Sequence, residues 1–277
     1  MALNSPHDDR AVGPLLFGIV NLTEDSFSDG GRFLRPDAAL EHARELFGSG
    51  ADVLDLGAAS SHPDSLPVSA EEEIRRLEPV IDELGRDSVP LSVDSCQPEV
   101  QAFALKRDVA YLNDIKGFAD DGIYPELARA RSKLVVMFSI LGGQRAVREV
   151  TDPVRVFASL LEFFEERIDA LRTAGVARDR LILDPGMGFF LGSNPETSLY
   201  VLSRLGELRQ RHGLPVFVSV SRKSFLGAVT GREVAERGPA TLAAELFAAR
   251  RGADCIRTHE PGALRDALLV QERLDRS

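Results

Sequence analysis

The chain has 277 residues, 44% of them hydrophobic, and a formal net charge of −10. That length allows a large core and is ordinary for an α/β barrel. The acidic balance, with no Lys/Arg block, excludes a phosphate-tracking surface and so general nucleic-acid binding. No apolar run approaches the ~18 residues of a membrane span.

Residues 1–13 are polar, lack the apolar centre of a signal peptide and are expected to fray, leaving 14–277 as the folded unit. Leu15–Val20 reads as a buried strand ending at Asn21, and a polar, Gly-rich loop follows to Gly31. Pro36–Phe47 has helical periodicity, with Pro36 in the first turn and Gly48 near the end. Val53–Leu56 is the next strand and opens into Gly57-Ala-Ala-Ser-Ser-His-Pro-Asp64. Ser69-Ala-Glu-Glu72 has the form of a capping box ahead of a helix to about Leu84. Pro90–Val93 is a strand ending at Asp94, and Pro98–Arg107 is helical. Ala110–Leu112 ends at Asn113-Asp114, and Tyr124–Ala130 is a short helix. Lys133–Met137 runs into Phe138-Ser139, and a long helix covers Pro153–Ala174.

Leu181–Leu183 is again a buried strand, ended by Asp184 and stopped by Pro185 and Gly186. Gly188 then gives a turn that carries Phe189 and Phe190. A carboxylate at a strand end, followed by a glycine loop with ring faces, suits a flat heterocycle with an N–H edge. Glu196–Arg211 is helical, Pro215–Val220 is a strand ending in Ser221-Arg-Lys-Ser-Phe225, and Ala240–Arg250 is helical. Cys255-Ile256 leads into Arg257-Thr-His-Glu260, and Ala263–Leu274 is the last helix. The two cysteines, Cys96 and Cys255, form no close metal or redox pair, which fits a reducing cytoplasm.

Eight strands alternating with eight helices imply parallel pairing and a single closed TIM (β/α)8 barrel. The alternative, an open doubly wound sheet, would want a glycine fingerprint at the first crossover, and Asn21-Leu-Thr-Glu-Asp is not one. In a barrel the strand-end residues Asn21, Asp94, Asn113, Asp184, Lys223, Arg257 and His259 converge on one mouth. Two carboxylates and a carboxamide recognise an edge with donors and acceptors. An arginine, a histidine and an asparagine suit a diphosphate bridged by magnesium, which takes few protein ligands. The bland reading is a ring of strand-end ion pairs, and seven such positions are many for it.

Four ordered motifs carry a resemblance. Gly18-Ile-Val-Asn-Leu-Thr-Glu-Asp-Ser-Phe-Ser-Asp-Gly-Gly31 resembles the first signature of dihydropteroate synthases. Leu183-Asp-Pro-Gly-Met-Gly188, Ser221-Arg-Lys-Ser-Phe225 and Arg257-Thr-His259 match later motifs of that family in order. The resemblance implies condensation of 6-hydroxymethyl-7,8-dihydropterin diphosphate with 4-aminobenzoate, with Mg2+, in a homodimeric barrel. It also implies roles. Asp94, Asn113, Asp184 and Lys223 would bind pterin, while Asn21, Ser61, Arg257 and His259 would bind diphosphate, Asn21 beside the metal. Ser61, Pro63, Phe189, Phe190, Lys223 and Ser224 would line the aminobenzoate site. Asp94, Lys223, Arg257 and His259 would be the catalytic set.

Three departures from the family pattern stand out. The usual Gly-Glu-Ser-Thr-Arg-Pro loop is Gly57-Ala-Ala-Ser-Ser-His-Pro63, without the glutamate and with His62 for the arginine. Gly188-Phe-Phe-Leu-Gly192 is longer than the common Gly-Phe-Gly-Lys. These changes are similar to those of the Sul group, synthases that confer sulfonamide resistance. Phe138 replaces a strand histidine, departs even from that group, and bears on the neighbouring pocket geometry. Two other readings remain open, a pterin-dependent methyltransfer domain and a barrel without catalysis. The first should lack the Ser221-Arg-Lys-Ser and Arg257-Thr-His motifs.

Overall fold

A computed structural model describes residues 13–23, 36–60, 65–140, 142 and 150–276. The expected frayed segment lies outside the described residues except for Gly13. Eight parallel strands are present: β1 Leu15–Asn21, β2 Val53–Gly57, β3 Leu91–Asp94, β4 Tyr111–Asp114, β5 Lys133–Met137, β6 Leu181–Asp184, β7 Phe217–Val218 and β8 Cys255–Thr258. The helices among the described residues are α1 Pro36–Ser49, α2 Ala70–Arg86, α3 Pro98–Leu105, α4 Tyr124–Arg129 and α5 Pro153–Thr173. They continue as α6 Pro195–Ser203, α7 Leu205–His212, α8 Ser224–Thr230, α9 Gly238–Arg250 and α10 Pro261–Asp275. The strands run in the order β6-β5-β4-β3-β2-β1-β8-β7. A single bridge from Leu183 to Val216 closes the ring, with Leu183 N donating to Pro215 O at 2.9 Å. The architecture is the expected barrel.

Strand alternation divides the apolar residues into two cores. Phe17, Val53, Tyr111, Val135, Ile182, Phe217 and Cys255 point inward and pack together. Phe17 is their centre, edge-on to Tyr111 at 4.9 Å and to Phe217 at 5.0 Å. The intervening residues, such as Leu16, Leu54, Val93, Leu112 and Val136, pack outward under the helices. Every second residue along each strand therefore faces the barrel axis. The apolar inward layer ends one step before the C-terminal strand ends, where polar residues replace it.

Two helical expectations are corrected. The span 196–211 is two helices, broken at Arg204, whose backbone leaves helical geometry (φ −111°, ψ 16°). The segment after Ser221-Arg-Lys, to which the sequence reading assigned no helix, turns into α8, which ends at a left-handed Gly231. Strand β7 is also shorter than expected, with ladder pairing to β8 at only Phe217 and Val218. Half of the capping box expected at α2 forms, with Ser69 accepting from Glu72 N at 3.2 Å. The Glu72 side chain turns instead to Arg75 and Arg76.

Candidate functional site

Register fixes the mouth. Asn21 lies beside Gly57, Gly57 beside Asp94, and Asp94 beside Asn113. These four positions form one level across β1 to β4. Gly57 leaves that level open, since a Cβ there would meet only Asn21 Oδ1, at 3.9 Å. Asn113 pairs with Val135, and Met137 pairs with Asp184, which carries the inward parity on to β6. Lys223 and His259 come from the segments after β7 and β8, and Arg257 from β8 itself.

Arg257 is the electrostatic centre. Its Nε donates to Asp55 Oδ2 at 2.5 Å and its Nη2 to Asp94 Oδ2 at 3.1 Å. This leaves Nη1 to reach a ligand. Asp55 is fully buried, and its Oδ1 has no partner among the described residues. Sequence reading missed Asp55 because it sits inside a strand rather than at its end. The signal was present, a charged residue at an inward position of Val-Leu-Asp-Leu. Burial pushes Asp94 up from the usual carboxylate range, and the neighbouring Asp55 charge adds to this, although Arg257 opposes it.

Asp184 is 2% exposed and accepts from Gly186 N at 2.8 Å. Burial raises its pKa to about 6, against the pull of the Gly186 hydrogen bond, Lys223 and Arg257. Gly186 is left-handed (φ +68°), and a Cβ there would collide with the Phe138 carbonyl oxygen. Only glycine allows this turn under Asp184. Asn113 is buried with its Oδ1 unpartnered among the described residues. Its neighbour Asp114 holds the following loop by accepting from Lys116 N at 2.7 Å and Phe118 N at 3.0 Å. Lys223 is brought down to about 8 by burial and by the Arg257 charge, although Asp184 and Asp94 oppose both.

His259 Nδ1 lies 2.8 Å from Ser221 Oγ, which ties the ends of β7 and β8 together. Burial and the positive charges of Arg222, Arg257 and Lys223 hold its pKa well below the usual value. The free site therefore has a neutral His259 that an arriving anion would help to protonate.

The loop after Asp184 forms a 3-10 turn, Gly188–Leu191. Gly188 N donates to Ser198 Oγ of α6 at 3.0 Å, and Phe190 O accepts from Ile140 N at 3.1 Å. A Cβ on Gly188 would stand 3.1 Å from Ser224 Oγ and 3.5 Å from Lys223 Cβ, so the loop lies directly on that pair. Phe190 is 5% exposed and packs with Met137, while half-buried Phe189 and Ile115 lie against them. The Lys223 ammonium sits 4.9 Å from the Phe190 ring centroid. Phe190 thus belongs to the mouth rather than to the core beneath the next helix.

Phe138 does not face this site. It packs outward, edge-on to Phe163 of α5 at 5.4 Å, and Met137 takes the inward position. The expected residues Ser61 and Pro63, with His62, lie outside the described residues. The described remainder of that loop is held by Gln97 Nε2, which donates to Val68 O at 3.2 Å and to buried Glu73.

A family model described as pterin binding enzyme matches residues 17–259. The chain is 59% identical to a dihydropteroate synthase type-2 of Escherichia coli, over 92% of this chain and 94% of that one. It is 53% identical to a type-3 enzyme of Escherichia coli, over 94% and 98%. The solved dihydropteroate synthase of Xanthomonas albilineans in complex with 7,8-dihydropteroate superposes with a TM-score of 0.82, at 36% identity, covering 96% of this chain and 95% of that one. The chain belongs to the pterin-binding enzymes and, among them, to the dihydropteroate synthases, which are transferases.

The two pKa shifts give a testable window. A ligand that needs Asp184 ionised and Lys223 charged binds best between about pH 6 and about pH 8. Below the window Asp184 becomes a donor and loses an acceptor, and above it Lys223 loses its charge. Calorimetric titration with 6-hydroxymethyl-7,8-dihydropterin should give a bell-shaped affinity. A flat profile from pH 5 to 9 would remove both groups from the binding site.

Proposed function

We propose that this chain condenses 6-hydroxymethyl-7,8-dihydropterin diphosphate with 4-aminobenzoate, releasing diphosphate, and that it discriminates against sulfonamides. The observation that carries the first part is two buried acceptors at the mouth, Asp184, which feels the charges of Lys223 and Arg257, and the unpartnered Asn113 Oδ1. A pterin offers matching N–H donors along one edge. Asp184 takes two of them, and hydrogen bonds to a charged acceptor contribute roughly 1.5–3 kcal/mol each.

Arg257 and His259 hold the diphosphate and neutralise the charge that grows as the C–O bond breaks. Asp94 lies by the ring and favours the developing cation. Carbon–oxygen cleavage can run ahead of attack because the methylene is conjugated with an electron-rich dihydropterin. The aryl amine is neutral at pH 7 and needs positioning by Lys223, Ser224 and the phenylalanine loop more than it needs a base. Asn21 offers a hard oxygen at the end of β1 and would hold a magnesium ion, which takes few protein ligands. Bound there, the ion would add further charge neutralisation to the leaving group. The Ser221-Arg-Lys-Ser and Arg257-Thr-His motifs argue against a methyltransfer domain. Two cysteines without a disulfide, Cys96 and Cys255, fit a reducing cytoplasm.

An assay with radiolabelled 4-aminobenzoate, with and without magnesium, tests the reaction. Asp184→Ala should abolish turnover and pterin binding, because it leaves the donor edge unpaired in a dry pocket. Unchanged pterin affinity in that variant, measured by calorimetry, would end the assignment.

Sulfonamide discrimination rests on the loop. A sulfonamide replaces a planar carboxylate with a tetrahedral sulfonyl group and, in most drugs, a ring. A pocket can exploit this by adding bulk where only the drug protrudes. Phe190, anchored on Met137 beneath Lys223, serves as the floor, and half-exposed Phe189 is the ring that meets the drug. Shortening Gly188-Phe-Phe-Leu-Gly192 to Gly-Phe-Gly-Lys should tighten sulfonamide binding at least tenfold, about 1.4 kcal/mol, with a smaller change for 4-aminobenzoate. If the unmodified enzyme binds sulfamethoxazole as well as it binds 4-aminobenzoate, the resistance reading is wrong and the synthase reading stands.

The same reading implies a homodimer. The adjacent helices α9 and α10 expose Phe247, Leu269, Val270 and Leu274, which a second copy would cover. Sedimentation equilibrium at micromolar concentration should give twice the chain mass, and a monomer there would reject this arrangement.

A further inference from the structure

Lys223 is placed by a device that lies outside the substrate-facing residues. The β7 ladder to β8 ends at Val218, so the five residues that follow have no strand pairing to hold them. The chain instead makes a tight turn, closed by Lys223 N donating to Val220 O at 3.1 Å. Its third residue, Arg222, is left-handed (φ +56°). That position in such a turn ordinarily calls for glycine or asparagine, and an arginine there is strained. Strain of this kind persists only where the surroundings over-determine it.

The surroundings do so here. Arg222 N donates to Thr241 Oγ1 of α9 at 3.0 Å, and Arg222 O accepts from Arg237 Nη1 at 3.0 Å. Both backbone polar groups of the strained residue are thus held by side chains. The Arg222 guanidinium is also used, with Nη2 donating to Glu260 Oε1 at 2.9 Å. Arg237 is fixed in turn by donating to Arg232 O at 3.0 Å. Its guanidinium passes over Gly227 of α8, where any Cβ would collide with it. Thr241 is buried at the start of α9, and its own N–H donates to Arg237 O at 2.8 Å. The turn, α8 and α9 are therefore locked to one another around a single backbone unit.

We propose that Thr241 and Arg237 are positioning residues: by clamping the left-handed backbone of Arg222, they aim Lys223 into the barrel mouth and set Ser224 beside Gly188. Neither touches a substrate. Their effect passes through the peptide units on either side of Arg222. The inference rests on Lys223 being a ligand-binding residue.

The test uses the full-length enzyme, with Thr241→Val as the near-isosteric variant that removes the acceptor for Arg222 N. Two readouts follow Lys223 itself. The first is the calorimetric dissociation constant for 6-hydroxymethyl-7,8-dihydropterin. The second is the pH dependence of Lys223 modification by trinitrobenzenesulfonate, followed by peptide mass spectrometry. The clamp predicts a loss of pterin affinity of at least tenfold. It also predicts a modification midpoint that rises from about 8 toward that of an ordinary lysine, as the ammonium leaves its buried position. Thr241→Ser, which keeps the acceptor, should restore both. Arg237→Gln acts on the other half of the clamp from a partly exposed position and should repeat the effect should Thr241→Val fold poorly. A fall in melting temperature with both readouts unchanged would overturn the proposal and leave a structural role. Lys223→Ala serves as the reference. If it weakens pterin binding while the clamp variants do not, the clamp alone is wrong. If Lys223→Ala is itself silent, both the clamp and the assignment of Lys223 fall.

Discussion

The buried contact between Arg257 and Asp55 governs the mouth of this barrel. A guanidinium at an inward position of β8 would be untenable in a dry interior without a carboxylate beside it. Asp55 supplies that carboxylate from the far side of β1, at 2.5 Å and fully buried. Removing either partner would strand a charge, at a cost of roughly 3–5 kcal/mol. Asp94 shares the same guanidinium, and Asp184 and Lys223 feel its charge. The pair is therefore both a structural tie across the barrel and the source of the field in which the site residues titrate. The polar level it anchors sits on the Phe17 layer, so the apolar interior acts as the floor of the site.

Around the ring, the two kinds of strand end are held differently. From β1 to β6 the polar residues stand on ladder positions, and register alone fixes their level. At β7 the ladder stops early, and side chains take over. Ser221 grips His259, and Arg222 is gripped by Thr241, Arg237 and Glu260. The corner that would meet leaving group and amine is thus built from turns braced by hydrogen bonds. The half that would recognise a rigid heterocycle is built from the sheet. A sheet suits a flat ligand of fixed shape, while a braced turn can carry residues past the last strand pair.

Much of this could be read from sequence because parallel strands in a barrel alternate strictly and end in loops. Asn21, Asp94, Asn113 and Asp184 were visible as polar stops on apolar runs, and the structure gathers them at one end. What could not be read lay where local pattern and tertiary packing disagree. The helix break at Arg204 has only Gly206 near it, and that glycine lies inside the first turn of α7 rather than at the break. Helix α8 has Gly227 in its middle, which lowers helical propensity, yet that glycine is what lets Arg237 pass. Asp55 was overlooked because it sits inside a strand rather than at its end, with its partner 202 residues away in sequence. Phe138 was expected to bear on the neighbouring pocket geometry, and counting parity along β5 from inward Val135 places it outward.

The same features set stability against function. In the free fold, Asp184 has its pKa near 6 against an ordinary 3.8, because burial disfavours its charge. Its native form therefore holds a proton more tightly than its unfolded form. Stability contributed by this group is complete below pH 3.8 and is lost as pH rises through about 6. At neutral pH the free enzyme thus carries a penalty of roughly 3 kcal/mol for an ionised, under-bonded carboxylate. Asn113 Oδ1 and Asp55 Oδ1 add two further buried acceptors without partners among the described residues. A well-packed apolar plug at this level would give a more stable barrel. Donors of a ligand that reached Asp184 and Asn113 would complete these acceptors, and the gain from binding would then exceed what the contacts alone would give in water. Lys223 shows the mirror case, a cation kept near its titration point by burial and by Arg257. A ligand that paired both groups would lower that cost. In this way a rigid strand-end framework would gain binding energy for a small flat molecule from the relief of its own buried polar groups.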